Sequence, residues 1–109
     1  MKRLLFILMT ILPTLQIVMA AEMKTDTIEV SGNCGMCEKR IVAAASIKGV
    51  KSVQWDAQTE QLTVRYDAEK TSLDKIEQSI ARAGHDTPNH KADEKAYNQL
   101  HTCCQYPRK

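Results

Sequence analysis

Two hydrophobic spacings alternate along the chain. Thr27-Ile28-Glu29-Val30 switches between polar and apolar at every residue, as a half-buried strand does, and predicts a first strand over about 25–31. From Glu38 to Lys48 the spacing changes, with Ile41, Val42, Ala45 and Ile47 on one helical face and Gly49 placed to stop the helix. Val50 to Asp56 alternates again, with Val53 and Trp55 on one face. After the polar link Ala57-Gln58-Thr59, the run Gln61 to Tyr66 returns with Leu62, Val64 and Tyr66 facing inward, which makes a β-hairpin. Thr71, with Asp74 three positions on, reads as the capping box of a second helix. Its Leu73, Ile76, Ile80 and Ala83 recur at helical spacing until Gly84. His85 to His90 is polar and holds Pro88, so a last strand there is short and on an edge. Lys91 to Leu100 predicts a surface helix with Tyr97 and Leu100 as its apolar contacts. The order strand, helix, strand, strand, helix, weak strand is the split βαβ pattern. It predicts an α+β fold, a ferredoxin-like βαββαβ sandwich with two helices on one face of an antiparallel sheet and a short C-terminal helical tail.

Ahead of this pattern, Met1-Lys2-Arg3 is a basic start followed by an apolar run from Leu4 through Met19. Val18 and Ala20 supply the small residues a signal peptidase reads. The expectation is a signal peptide over 1–20, export to the periplasm or the exterior, and no stable membrane insertion after cleavage. Pro13 and Gln16 interrupt a run that is short against the ~20 apolar residues of a spanning helix. The expected organisation is then the leader 1–20, one domain over 21–91 and a cysteine-containing helical tail over 92–109. The full chain has 15 basic and 13 acidic residues; without Lys2 and Arg3 the counts become 13 and 13. A neutral balance gives no footing for nucleic acid or an anionic membrane surface.

All four cysteines, Cys34, Cys37, Cys103 and Cys104, lie beyond the leader. An even count in an oxidising compartment often means structural disulfides. Here the pairs are C-x-x-C at a strand-to-helix turn and C-C near the end, poorly spread for stapling distant loops. Gly32-Asn33-Cys34-Gly35-Met36-Cys37 puts Cys37 in the first helical turn, where free N–H groups and the helix dipole favour thiolate. Gly32 and Gly35 are expected to let the backbone turn sharply there. Two thiolates so spaced either pinch one soft ion, Cu(I), Zn(II) or Hg(II), or close on each other as a disulfide.

The cysteine turn, the helix ending Ile47-Lys48-Gly49-Val50, the hairpin through Leu62-Thr63-Val64-Arg65-Tyr66-Asp67 and the helix ending Ala83-Gly84 together resemble a heavy-metal-associated domain. The family includes copper chaperones, modules of heavy-metal-pumping ATPases and periplasmic mercury-binding proteins. The resemblance spans about residues 25–90 and implies that Cys34 and Cys37 are metal-binding thiolates on an exposed loop. Two departures stand out. Asn33 alone separates Gly32 from Cys34, so the methionine that usually packs beneath the loop is missing, and Met36 falls between the cysteines. After Ala83-Gly84, where the family often has tyrosine, phenylalanine or lysine, this chain has His85, a candidate third ligand or thiolate partner as well as an ordinary helix-end histidine.

Cys103 and Cys104, with His101 nearby, are candidates to complete a higher-coordinate site or hold a second ion; a tail disulfide or idle thiols are the alternatives. Lys39 and Arg40 are placed to offset the charge of a metal bis-thiolate or to form a solvated helix face. Met36 can offer a thioether or pack, and Trp55 and Tyr66 read as packing residues. The expected function is non-catalytic: capture of a soft ion, Cu(I) before Zn(II) or Hg(II), and its transfer to a metal-transport or metal-accepting protein with thiolates of its own. The rival is a small exported thiol–disulfide oxidoreductase. Such enzymes also start a helix with C-x-x-C but need further strands and a proline facing the thiols, and Thr87-Pro88 falls near that place.

Overall fold

A computed structural model describes residue 13 and residues 22–108, so the expected leader lies almost wholly outside the described residues. Its elements are strand β1 (Met23–Glu29), helix α1 (Gly35–Ala45), strands β2 (Val50–Asp56) and β3 (Gln61–Asp67), and helices α2 (Leu73–Arg82) and α3 (Glu94–Asn98). A 3₁₀ turn over Thr102–Cys104 follows. The strands form an antiparallel sheet in the order β1-β3-β2, with Thr25 opposite Arg65 and Val53 opposite Val64. Leu62, Val64 and Tyr66 alternate inward as their spacing predicts, and meet Ile41 and Ala45 of α1 and Ile76 and Ile80 of α2 in one core. The Ser79 hydroxyl ties the two helices by donating to the Ala44 carbonyl at 2.6 Å.

The ferredoxin-like arrangement is as the sequence predicts, but among the described residues its last strand is not formed. One ladder-like contact survives beside β1, the Ser31 N–H to the Asp86 carbonyl at 3.1 Å. Beyond it Thr87 folds back on itself, its N–H donating to the His90 carbonyl at 2.9 Å around Pro88. Asn89 then turns toward α2, where its backbone and side-chain N–H groups satisfy the buried Glu77 carboxylate at 3.1 and 3.0 Å. The polar side chains thus bind the second helix in place of the sheet edge.

Smaller boundaries also move. Helix α1 starts at Gly35 and ends at Ala45, so Gly49 (φ +97°) belongs to the turn after it. Ser72, not Thr71, caps α2, its hydroxyl accepting the Lys75 N–H at 3.2 Å while Thr71 is buried. Helix α3 is shorter than the expected 91–100 because the Asp86 carboxylate takes the Ala92 N–H at 2.7 Å and holds the approach extended. Gly84 (φ +107°) ends α2 and lets α3 dock: a Cβ there would stand 3.1 Å from the Ala96 backbone and 3.2 Å from Leu100. The tail packs into the same core through Leu100, Cys104 and Tyr106. No described helix is long and apolar enough to cross a membrane.

Candidate metal centre

The C-x-x-C turn is built on an aromatic floor. Cys34 is the N-cap of α1 in extended conformation and Cys37 lies in the first turn, so both sulfurs sit at the open, positive end of the helix. Neither Gly32 nor Gly35 adopts the left-handed conformation, so sharp turning is not their role. Gly32 is required by space: a Cβ there would meet the Trp55 ring at 2.9 Å and the Cys37 Cβ at 3.2 Å. Around Gly35 nothing lies within 4 Å. Trp55 fixes the approach to this turn by donating its Nε1–H to the Val30 carbonyl at 3.0 Å. The indole therefore packs against the loop from which the expected methionine is missing, and Trp55 is more than a core filler.

The two sulfurs are 3.8 Å apart and unequal. Cys34 is half-buried and lines an open cleft with Met36, Glu38, Lys39, Val42 and Cys103, whereas Cys37 is fully buried. A loop with both thiols exposed is thus corrected to one accessible and one enclosed, because Cys37 lies in the first turn of α1 and joins the buried core. The Cys37 backbone N–H holds the Cys34 thiol down to about 7; burial opposes it, and hydrogen bonds with the Cys103 and Cys104 thiols add to the lowering.

The tail brings its cysteines to the same place. Cys104 Sγ and Cys103 Sγ each lie 3.6 Å from Cys34 Sγ, and Cys103 Sγ is 3.8 Å from the Met36 sulfur. The sulfurs of Cys34, Cys37 and Cys104 all lie within 4.8 Å of one another. Cys104 is buried and Cys103 exposed, and burial pushes the Cys104 thiol well above its ordinary range, with hydrogen bonds to Cys37 and Cys34 adding to the rise.

His85 and His101 stay outside this sulfur cluster. His85 is fully buried, directs Nδ1 to the Ser31 carbonyl at 2.8 Å and stacks on Tyr106. That contact requires a proton on Nδ1, and burial lowers the imidazole's pKa, so the ring is a neutral core group. Its Nε2 and the Arg40 Nη1 are buried without hydrogen-bond partners. Lys39 borders the sulfur cleft; Arg40 has its head group partly inside. Pro88 is exposed and lines a different cleft with His90 and Arg108, so it does not face the thiols as an oxidoreductase proline must.

The sequence profile of the heavy-metal-associated domain matches residues 27–86. The chain belongs to this family. The heavy-metal-associated domain here has solved structural neighbours of similar fold. The CopZ metallochaperone is 27% identical with a TM-score of 0.57, over 59% of this chain and 98% of CopZ. Oxidized MerP from Ralstonia metallidurans CH34 is 31% identical with a TM-score of 0.57, over 61% of this chain and 94% of MerP. The water-soluble region of the P-type ATPase CopA from Bacillus subtilis is 30% identical with a TM-score of 0.58, over 63% of this chain and 47% of that region. Comparison with curated proteins finds no match. The family match ends at residue 86, so the tail with Cys103 and Cys104 lies beyond it.

Proposed function

We propose that this heavy-metal-associated domain is an exported, non-catalytic carrier that holds a soft ion between Cys34 and Cys37 and passes it to an acceptor protein. The observation that carries the reading is the sulfur pair itself, 3.8 Å apart at a helix N-terminus, one member half-open to a surface cleft. Low-coordinate thiolate sites favour Cu(I), whereas Zn(II) seeks four ligands and Hg(II) competes by softness. Transfer proceeds by ligand exchange. An acceptor thiolate enters the cleft, bonds the ion and displaces Cys34, and the enclosed Cys37 lets go last. The likeness to a metallochaperone and to the soluble region of a P-type ATPase supports an acceptor with thiolates of its own. Export rests on the leader-like residues 1–20 and places the acceptor outside the cytoplasm.

The test is titration of the reduced protein with Cu(I) against a chromophoric Cu(I) chelator, followed by mixing with a dithiol acceptor. One tightly held Cu(I) per chain, lost in Cys34→Ser and Cys37→Ser and yielded to the acceptor, is expected. Disulfide reductase turnover without metal uptake would instead support the oxidoreductase. Fractionation of cells carrying the full chain tests export: a protein retained in the cytoplasm with residues 1–20 intact refutes it.

A further inference from the structure

The tail cysteines fall outside the family match, yet the fold seats both beside the metal loop and buries one of them, Cys104, with several independent anchors. Leu100 is buried ahead of the 3₁₀ turn, and within it the Cys104 N–H donates to the His101 carbonyl at 2.7 Å. Two residues on, the buried Tyr106 hydroxyl donates to the Gly84 carbonyl at 2.8 Å and accepts the Asp86 N–H at 2.9 Å. The Tyr97 hydroxyl holds the Tyr106 carbonyl at 2.6 Å. Arg108 pairs with Asp86 at 3.0 Å and lies over the Tyr97 ring. Cys104 is therefore presented to Cys34 and Cys37 by a built scaffold. Its neighbour Cys103 is exposed at the mouth of the cleft, 3.6 Å from Cys34 and 3.8 Å from the Met36 sulfur, and the two tail sulfurs stand 3.9 Å apart, far beyond the ~2.05 Å of a disulfide.

The spacing of the three inward sulfurs fits one ion better than a pair would. With a metal–thiolate bond of about 2.3 Å, a linear two-sulfur site sets its sulfurs about 4.6 Å apart and a trigonal site about 4.0 Å apart. Cys34 lies 3.8 Å from Cys37 and 3.6 Å from Cys104. Cys37 and Cys104 close the triangle within 4.8 Å. Cys103 Sγ also stands 3.6 Å from Cys34 and 3.9 Å from Cys104, but it is exposed and lies outside the group of three that includes the buried Cys37.

We propose that Cys104 is a third metal ligand, so that the tail closes the Cys34–Cys37 pair into a trigonal tris-thiolate site for Cu(I). The inference rests on the reading that Cys34 and Cys37 hold the ion. Three sulfur–copper bonds form, any thiol protons pass to solvent, and copper stays Cu(I) throughout. The tail is then a latch. It raises retention while seated, and its displacement by an acceptor thiolate opens the path to transfer.

Sulfur scatterers counted by X-ray absorption on the Cu(I)-loaded full chain test this directly, with chelator competition beside it. Three sulfurs are expected in the unmodified protein and in Cys103→Ser, and two in Cys104→Ala. Altering a group that only supports a metal ligand costs 10–100-fold in affinity, so loss of the ligand itself should weaken Cu(I) by about 100-fold or more. Cys103→Ser should stay close to the unmodified protein. Two or four sulfurs in the unmodified protein, copper–copper scattering from a second ion, or equal losses in both variants would overturn the latch. Should Cys104→Ala fail to fold, the count in the unmodified protein decides alone. If the unmodified protein binds no Cu(I), or Cys34→Ser keeps it undiminished, the two-cysteine reading falls; two sulfurs in a tightly bound complex remove only the third ligand.

Discussion

Tyr106→Phe is the most economical way to ask whether the tail is part of the fold. The substitution removes one oxygen and keeps the ring, which stacks on His85 at 5.6 Å and meets Tyr97 edge-on at 5.0 Å. That oxygen serves two buried backbone groups, the Gly84 carbonyl and the Asp86 N–H. An unsatisfied buried polar group costs about 1–3 kcal/mol, and the Asp86 N–H is left without the hydroxyl that accepts from it, so a loss near 2 kcal/mol is expected. In a domain of this size each kcal/mol moves the melting temperature by about 4–8 °C, giving a fall of about 8–16 °C. Tyr106→Ala also removes the ring from the core and should cost about 3–5 kcal/mol. Urea unfolding of the reduced, metal-free protein, followed by far-UV circular dichroism, measures both. A Tyr106→Phe midpoint equivalent to less than about 0.5 kcal/mol of loss would mean that the tail is not docked in solution, since surface changes stay within that range.

Three further outcomes follow from the same geometry. Gly32→Ala forces a Cβ to 2.9 Å from Trp55 and should cost about 1–3 kcal/mol in urea melts and weaken metal binding, whereas Gly35→Ala, with open space around it, should be near neutral. Alkylation of the reduced metal-free protein should label Cys34 first, with a rate that rises through about pH 7, while buried Cys104 stays unlabelled; peptide mapping that finds Cys104 labelled first would contradict the assigned burial. His85 contributes to the loss of stability in mild acid. Burial lowers its pKa below the ordinary 6.5, the nearby Arg40 charge acts in the same direction, and the Ser31 carbonyl and Asp86 oppose them. The unfolded imidazole therefore takes up its proton first, so stability is complete above about pH 6.5 and falls as pH drops below it. Cys34 acts in a higher window: its contribution is complete above pH 9 and lost as pH falls through about 7. Urea melts of His85→Gln should have a shallower slope between pH 6.5 and 5 than those of the unmodified protein; equal slopes would exclude the histidine as the cause.

What the sequence conveyed well was carried by periodicity. The hairpin bounds and its inward Leu62, Val64 and Tyr66 follow from alternation that only one face can bury. The C-x-x-C at a strand-to-helix turn was equally legible, because spacing and a change of period mark it locally. The last strand was hard to place because its fate depends on long-range competition: Asn89 finds Glu77 twelve residues back, a pairing no local pattern announces. The floor under the loop was missed for the same reason. Trp55 reads as an ordinary inward strand residue, and only its 25-residue reach back to the Val30 carbonyl shows that it shapes the cysteine turn. A signal did exist in the tail: Tyr106 is an aromatic residue two positions past a C-C pair in an otherwise polar end, as expected of a segment that docks.

His85 illustrates how a residue in the right neighbourhood can take a different task. Its position after Ala83-Gly84 brings it near the loop, but bonding to Ser31 commits Nδ1 and stacking on Tyr106 commits a ring face, leaving Nε2 buried without a hydrogen-bond partner. Its role is to join the end of α2, the strand leading to Cys34 and the ring that anchors the tail. The site is consequently asymmetric by construction. Cys37 is buried within the first turn of α1, Cys34 looks into the cleft, and Cys104 rides on a tail anchored through Tyr106. Retention needs enclosed sulfur and release needs accessible sulfur, and dividing those demands among three cysteines removes the conflict that two equivalent thiols would face. Loosening the anchor should therefore shift the balance toward release: Tyr106→Ala should speed Cu(I) transfer to a dithiol acceptor in stopped-flow mixing, with Cys34 and Cys37 unaltered. A transfer rate unchanged by that substitution, in protein shown to be folded and loaded, would separate the tail from the metal altogether.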